Sequence, residues 1–219
     1  MTQFKPPIDP TLHLISTGAD SARLDRLENG FRQMLEPAVS VSAMRLGIVN
    51  SLRVAYYNAA RLIDNRDAIL LFAHQDVVPV TSEMLGELPI EVRTPLRQYV
   101  SKQSLGPIWW QTLQQLLTRE DCGFAGVAGS REMTAGKAWW QNQALSGMVM
   151  HRREEGIRVN AYGPWTRALV VDGLCMICRA STLLDMPPVR GDQGHFHFYD
   201  MDLCLNAHAR GLSNWTIPL

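Results

Sequence analysis

Apolar and polar positions in the first third of the chain alternate between two periods. Leu12-His13-Leu14-Ile15-Ser16-Thr17-Gly18 predicts a strand closed by small polar residues. Asp20-Ser21 then offers an N-cap, Leu24, Leu27, Phe31 and Leu35 recur at helical spacing, and Pro37 stops the helix. Val39 to Met44 alternates as a second strand. Ser51 to Ile63 predicts a second helix with Leu52, Ala55, Ala59 and Leu62 on one stripe. Six apolar residues, Ala68 to Ala73, run between Asp67 and the polar triplet His74-Gln75-Asp76. Such a run reads as a strand buried on both faces. The resulting β-α-β-α-β order is that of a mononucleotide-binding half, with parallel strands joined by right-handed crossovers.

Beyond it, Thr81 to Thr118 reads as mostly helical, with a short helix at Ser82 to Leu88. Pro107 suits the first turn of a helix whose apolar face is Trp109, Leu113, Leu116 and Leu117. Phe124 to Ser130 predicts one buried strand. Met133 to Asn142 is a loop carrying Trp139-Trp140, a platform for a sugar or base, or part of the core. Gly147–His151 and Gly156–Asn160 predict a hairpin. Ala168 to Arg179 reads as one long strand interrupted by Asp172-Gly173, as a turn or a bulge. A short helix begins at Ser181, a longer one runs through Leu203 to a closing Gly211, and Trp215 opens a last strand. The expectation is one α/β domain over 1–219 with a mostly parallel sheet, helices on its faces and a small antiparallel extension. Its first half, with the mononucleotide-binding order, spans about 11–80, and its second half about 120–219.

Composition narrows the function. Hydrophobic residues make up 46% and charged residues 19%, which supports a sizeable core and excludes disorder. The formal net charge is zero, so no basic excess points to nucleic acid or an anionic membrane surface. No apolar run reaches the ~20 residues that span a bilayer, and no signal segment opens the chain. A cytoplasmic protein is expected. Cys122, Cys175, Cys178 and Cys204 are then free thiols, with Cys175-Met176-Ile177-Cys178 buried in a strand rather than a zinc or redox motif.

Candidate chemistry gathers in two places. His74 and Asp76 follow a strand end, where open α/β sheets bind ligands, and their imidazole and carboxylate can meet one divalent cation. His195, His197, Asp200 and Asp202 crowd a loop-to-helix junction. Helix capping accounts for one of the two aspartates but not for the histidines. Two titratable clusters at element ends suggest a shared cleft, one part for a metal and the other for a base.

Taken in order, Tyr57-Asn58-Ala59-Ala60-Arg61, Phe72-Ala73-His74-Gln75-Asp76-Val77, Val127-Ala128-Gly129-Ser130, Val171-Asp172-Gly173 and His197-Phe198-Tyr199-Asp200-Met201-Asp202-Leu203-Cys204 resemble family 2 glycosyltransferases of the GT-A fold, in the branch of StrF-type enzymes. The resemblance implies transfer of a sugar from a nucleotide-sugar donor to a saccharide or other hydroxyl acceptor, with Mn or Mg at the diphosphate. His74-Gln75-Asp76 stands where the family carries D-x-D. Asp76 would bind the metal, with His74 in place of the first aspartate and His197 reaching the same site. Thr17 and Asn58 would lie near the nucleotide. Asp200 would deprotonate the acceptor in an inverting reaction, and Asp172, Trp140 and Asp202 would face sugar or acceptor. Related chains continue to a further metal-binding histidine. Either the gene is short here, or His195 or His197 supplies that ligand. Two alternatives stay open: an inactive GT-A-like protein that binds nucleotide or glycan, and a metallohydrolase built from His74, Asp76, His195 and His197.

Overall fold

A computed structural model describes residues 11–79, 86, 90, 105–187 and 198–218. Of the expected short helix at Ser82 to Leu88 only Gly86 is described, and it is helical; His195 and His197 lie outside the described residues.

The first three strands and two helices form as the pattern predicts. They are β1 (Thr11–Thr17), α1 (Ser21–Leu35), β2 (Ser40–Arg45), α2 (Leu52–Leu62) and β3 (Ile69–His74). Asp20 caps α1 by accepting the Arg23 N–H at 3.1 Å, and Ser51 caps α2 through the Val54 N–H. The apolar stripe of α2 is rotated from the expected one. Leu52, Tyr56, Ala59 and Ala60 are buried, whereas Leu62 is 75% exposed. Tyr56 wins that face because its ring stacks on Phe72 of β3, with centroids 4.2 Å apart.

The second half comprises α3 (Leu105–Leu117), β4 (Cys122–Gly126), β5 (Ala128–Ser130), a 3₁₀ turn at Trp139–Gln141, β6 (Leu145–Arg153), β7 (Gly156–Gly163), β8 (Arg167–Ala168), β9 (Val170–Val171), β10 (Cys175–Arg179), α4 (Ala180–Leu184), α5 (Tyr199–Ala209) and β11 (Ser213–Thr216). Two expected strands are divided. Phe124 to Ser130 breaks at Val127, leaving β4 in one sheet and β5 in another. Ala168 to Arg179 breaks twice, so β8 and β10 belong to the larger sheet and β9 to the smaller. Hydropathy does not record such a switch, because both sheets bury the same kinds of side chain. What permits it is close backbone approach. Gly147 has φ +90°, and a Cβ there would stand 2.1 Å from the Val127 carbonyl oxygen.

Among the described residues the larger sheet runs β2-β1-β3-β10-β4-β11-β8. β1 pairs in parallel with β2 and β3, and β11 with β4. β10, however, is antiparallel to both of its neighbours, and β8 is antiparallel to β11. The sheet is therefore mixed: β2, β1, β3, β4 and β11 run one way, as expected of a mostly parallel sheet, and β10 and β8 run against them. The reason is connectivity: β10 is entered through the short Asp172-Gly173-Leu174 turn at the carboxyl end of β3, not through a crossover helix. The smaller sheet, β7-β6-β5-β9, is antiparallel throughout and contains the expected hairpin.

Two cores lie on opposite faces of the larger sheet. One joins Tyr56, Phe72, Phe124, Met176 and Leu203, and the other joins Leu27, Phe31, Leu71, Leu113 and Ile177. Cys175 and Cys178 fall in different cores, so the two thiols face away from each other and share no ligand. All four cysteines are free and buried, and burial pushes Cys175 up to about 12. No helix of the described residues is long and apolar enough to cross a membrane.

Candidate active site

β3 ends at His74, and the chain turns at once. The Val77 N–H closes on the His74 carbonyl at 3.1 Å, so Gln75 and Asp76 sit in a turn rather than on an extended strand. Gln75 has a structural part. Its Oε1 accepts the Asp20 N–H at 3.1 Å and lies in the space that a side chain at Gly18 (φ +147°) would need. The middle residue of the triplet thus ties β3 to the entry of α1, while His74 and Asp76 are left for other work.

The Asp172-Gly173-Leu174 turn lies beside this end. The His74 N–H donates to the Leu174 carbonyl at 3.1 Å, and the Asp172 N–H donates to Ala128 O at 2.8 Å. From the other side comes the first turn of α5. Phe198, in the left-handed region at φ +63°, precedes it and aims Tyr199 and Asp200 inward. Among the described residues no side chain caps that helix. Asp200 instead reaches across the chain, and its Oδ2 accepts the Gly173 N–H at 2.9 Å while Oδ1 accepts the Met201 N–H. The Tyr199 hydroxyl donates to Gly173 O at 2.8 Å and contacts His74 Nε2 at 3.1 Å. His74, Tyr199, Gly173 and Asp200 are consequently joined in one hydrogen-bonded chain, with Asp172 in the same turn.

Electrostatics bind the group further. Burial pushes the His74 pKa down, opposed by the Asp76 and Asp200 carboxylates, so both acidic residues act on the one imidazole. Burial likewise raises Asp172 to about 6, opposed by the Leu174 N–H that its Oδ1 accepts at 3.1 Å and assisted by Asp200. The Tyr56 hydroxyl is enclosed beside those of Tyr199 and Thr17, and among the described residues it forms no hydrogen bond of ordinary geometry. Its ring meets Tyr199 edge-on at 5.7 Å.

Thr17, His74, Asp76, Asp172 and Asp200 therefore share one edge of the larger sheet. Thr17 pairs in register with His74. The remaining sequence candidates are placed differently. Asn58 is exposed on α2. Trp140 is 56% exposed against the buried Trp139. Asp202 is taken up by an ion pair with Arg53 and by the Asn206 amide at 2.9 Å. Tyr56 and Tyr199 were not singled out by the sequence. Tyr56 was detectable four residues after Leu52 on the helical stripe, whereas nothing local marks Tyr199.

Among the described residues no group of three or more His, Cys, Asp or Glu could hold a metal ion. One imidazole and one carboxylate do not make a closed zinc-type site. They do suit Mg²⁺ or Mn²⁺ delivered on a diphosphate, since such ions take one or two protein ligands and complete their shell with phosphate and water. A cleft of about 370 Å³ opens beside Asp76, lined by Arg23, Met148, Met150, Trp165 and Leu174 among others.

Asp172→Asn gives a test of the burial at this turn. The folded chain holds the Asp172 proton more tightly than the unfolded chain, whose carboxyl titrates near ~3.9. Stability is lost as pH rises from about 4 to about 6 and stays reduced above that. Asparagine keeps the acceptor for Leu174 and carries no charge. It is expected to stabilise the fold by about 2–3 kcal/mol above pH ~6, with the gain vanishing near pH ~4, in thermal melts across pH. A gain independent of pH would show that Asp172 is not destabilised by its charge.

Comparisons place the chain among known proteins. A family model described as "Glycosyltransferase like family" matches residues 107–218, just over half of the sequence. The match includes Trp140, Asp172, Asp200 and Asp202, while Thr17, Asn58, His74 and Asp76 precede it. No curated protein matches the chain. One solved structure, titled "Crystal Structure of A197 from STIV", aligns at 11% identity and a TM-score of 0.43, covering 95% of this chain and 81% of its own. With the matched half containing the turn and helix that carry Asp172 and Asp200, this chain belongs to the glycosyltransferase-like family.

Proposed function

We propose that the protein is a GT-A-type glycosyltransferase that moves a sugar from a nucleotide-sugar to a hydroxyl acceptor with inversion. The observation that carries this reading is the hydrogen-bonded chain from His74 through Tyr199 and Gly173 to Asp200. It joins the cluster after β3 to the family-matched half at one sheet edge. In the transfer, the acceptor oxygen forms a bond to the anomeric carbon as the bond to the diphosphate oxygen breaks. Asp200 takes the acceptor proton, and the nucleoside diphosphate departs with the bonding pair. Asp172 is the polar neighbour of the reacting sugar. His74 and Asp76 would hold a divalent cation, which supplies neutralising charge for the leaving diphosphate. Thr17, on the neighbouring strand end, is assigned to the nucleotide side. Asn58 and Trp140 are assigned to donor and acceptor at the rim, and Asp202 reaches the acceptor only if its pair with Arg53 opens.

Thermal shift tests the reading. UDP, dTDP or GDP with Mn²⁺ is expected to raise Tm in wild type, by about 2.7 kcal/mol of binding free energy at 100-fold excess over Kd. In Asp76→Asn the shift from the nucleotide is expected to lose its dependence on Mn²⁺. No response to any nucleoside diphosphate, with or without the cation, would remove the donor from the proposal.

A further inference from the structure

The Tyr199 hydroxyl has one proton; among the described residues it contacts two hydrogen-bonding partners, with the Tyr56 hydroxyl, itself a possible donor to the Tyr199 oxygen, enclosed beside it. The Tyr199 oxygen lies 2.8 Å from the Gly173 carbonyl oxygen and 3.1 Å from His74 Nε2. A carbonyl oxygen only accepts, so two oxygens at 2.8 Å require the Tyr199 proton between them. That proton cannot also serve His74. In the second contact Nε2 must be the donor and the Tyr199 oxygen the acceptor.

The opposite arrangement, Tyr199 donating to Nε2, would set lone pair against lone pair where Tyr199 is only 6% exposed. Nor can Gly173 draw back. Its N–H is held by Asp200 Oδ2 at 2.9 Å, and its Cα packs so closely on Tyr199 that a Cβ would stand 2.4 Å from the hydroxyl. The Tyr199 ring is fixed in turn by its edge contact with Tyr56.

In a neutral imidazole the nitrogen that does not donate carries the lone pair. We propose that Tyr199 is a positioning residue that fixes His74 as the Nε2–H tautomer, so that Nδ1 is the atom the ring offers to a divalent cation. The inference rests on the cation role proposed above for His74 and deepens it. It also gives a physical reason for pairing a histidine with a tyrosine across the two halves of the fold. Metal-bound imidazoles depend on a partner at the far nitrogen for tautomer and orientation, and losing that partner typically costs 10–100-fold in affinity.

The test uses the full chain with ring-¹⁵N-labelled histidine and long-range ¹H–¹⁵N correlation at mildly alkaline pH. The His74 signals are assigned by their loss in His74→Gln. Wild type is expected to show a pyridine-type Nδ1 and a pyrrole-type Nε2 at His74 without any metal. Tyr199→Phe is expected to shift this pattern towards a mixture of tautomers and to weaken Mn²⁺ binding, followed by electron paramagnetic resonance, by roughly tenfold or more. A pyrrole-type Nδ1 in wild type would overturn the proposal even if the Tyr199 variant failed to fold. An unchanged His74 pattern in folded Tyr199→Phe would overturn it as well. The expected tautomer in wild type together with no paramagnetic broadening of Nδ1 by Mn²⁺ would overturn the cation role, and the metal-dependent reading with it, while leaving Tyr199 as the residue that sets the ring.

Discussion

Asp200→Asn is expected to lower the rate of sugar transfer by about 10²–10⁴-fold, the span that a positioned general base contributes. The fold should survive the change. An asparagine oxygen can still accept the Gly173 N–H now held at 2.9 Å, and only the Met201 N–H loses its acceptor. One such loss costs about 1 kcal/mol, a few degrees of Tm for a chain of this size. Donor affinity, read as the Mn²⁺-dependent thermal shift with nucleoside diphosphate, should change little, since the base acts on the acceptor. The comparison that makes the result decisive is Asp172→Asn in the same assay. Asp172 has one carboxylate oxygen engaged by Leu174, and burial brings it to about 6, so it too could accept a proton near neutrality. If release of nucleoside diphosphate survives in Asp200→Asn and collapses in Asp172→Asn, the base is Asp172. If both variants keep wild-type rates, the site is elsewhere.

Those two aspartates also mark how far the sequence could be read. The first half was legible because its elements follow local rules: period-two strands, two capped helices and one doubly buried run at Ala68 to Ala73. The strand-end position of His74 followed from the same pattern. Asp200 was legible as a carboxylate at a helix start, and the structure places it against Gly173 rather than in a cap. What stayed hidden depends on contacts between distant segments. Tyr199 meets His74 across 125 positions of chain, and no periodicity encodes such a pair. Tyr56 displaced Leu62 from the buried stripe of α2 because a ring on Phe72 buries more area than a residue at the helix end. The strand breaks at Val127 and around Leu169 were invisible for a different reason. Alternation of hydropathy says that a residue is buried, not in which sheet. Only the glycines hinted at close approach, without naming the partner.

The largest loss of stability is expected at one of those glycines. Gly129 in β5 pairs with Val171 of β9, and a Cβ on it would stand 2.1 Å from the Val170 carbonyl oxygen and 3.0 Å from Val171 Cα. Both are backbone atoms, so no rotamer change relieves the clash. Relief requires β9 to move, and β9 leads directly into Asp172, whose N–H is bonded to Ala128 O at 2.8 Å. Gly129→Ala is therefore expected to cost about 3 kcal/mol or more, at the upper end for overpacking. That is a large share of the ~5–15 kcal/mol that holds a domain folded. It corresponds to a fall in Tm of roughly 6–12 °C for a chain of this size. Transfer by the fraction that remains folded should also fall, because the turn carrying Asp172 and Gly173 shifts against Asp200 and Tyr199. Calorimetry and rate measurements well below the new Tm separate the two effects. A Gly129→Ala protein that melts and turns over like wild type would mean that β5 does not lie against β9 in this register, and the Asp172 turn would lose the support that sets it beside His74.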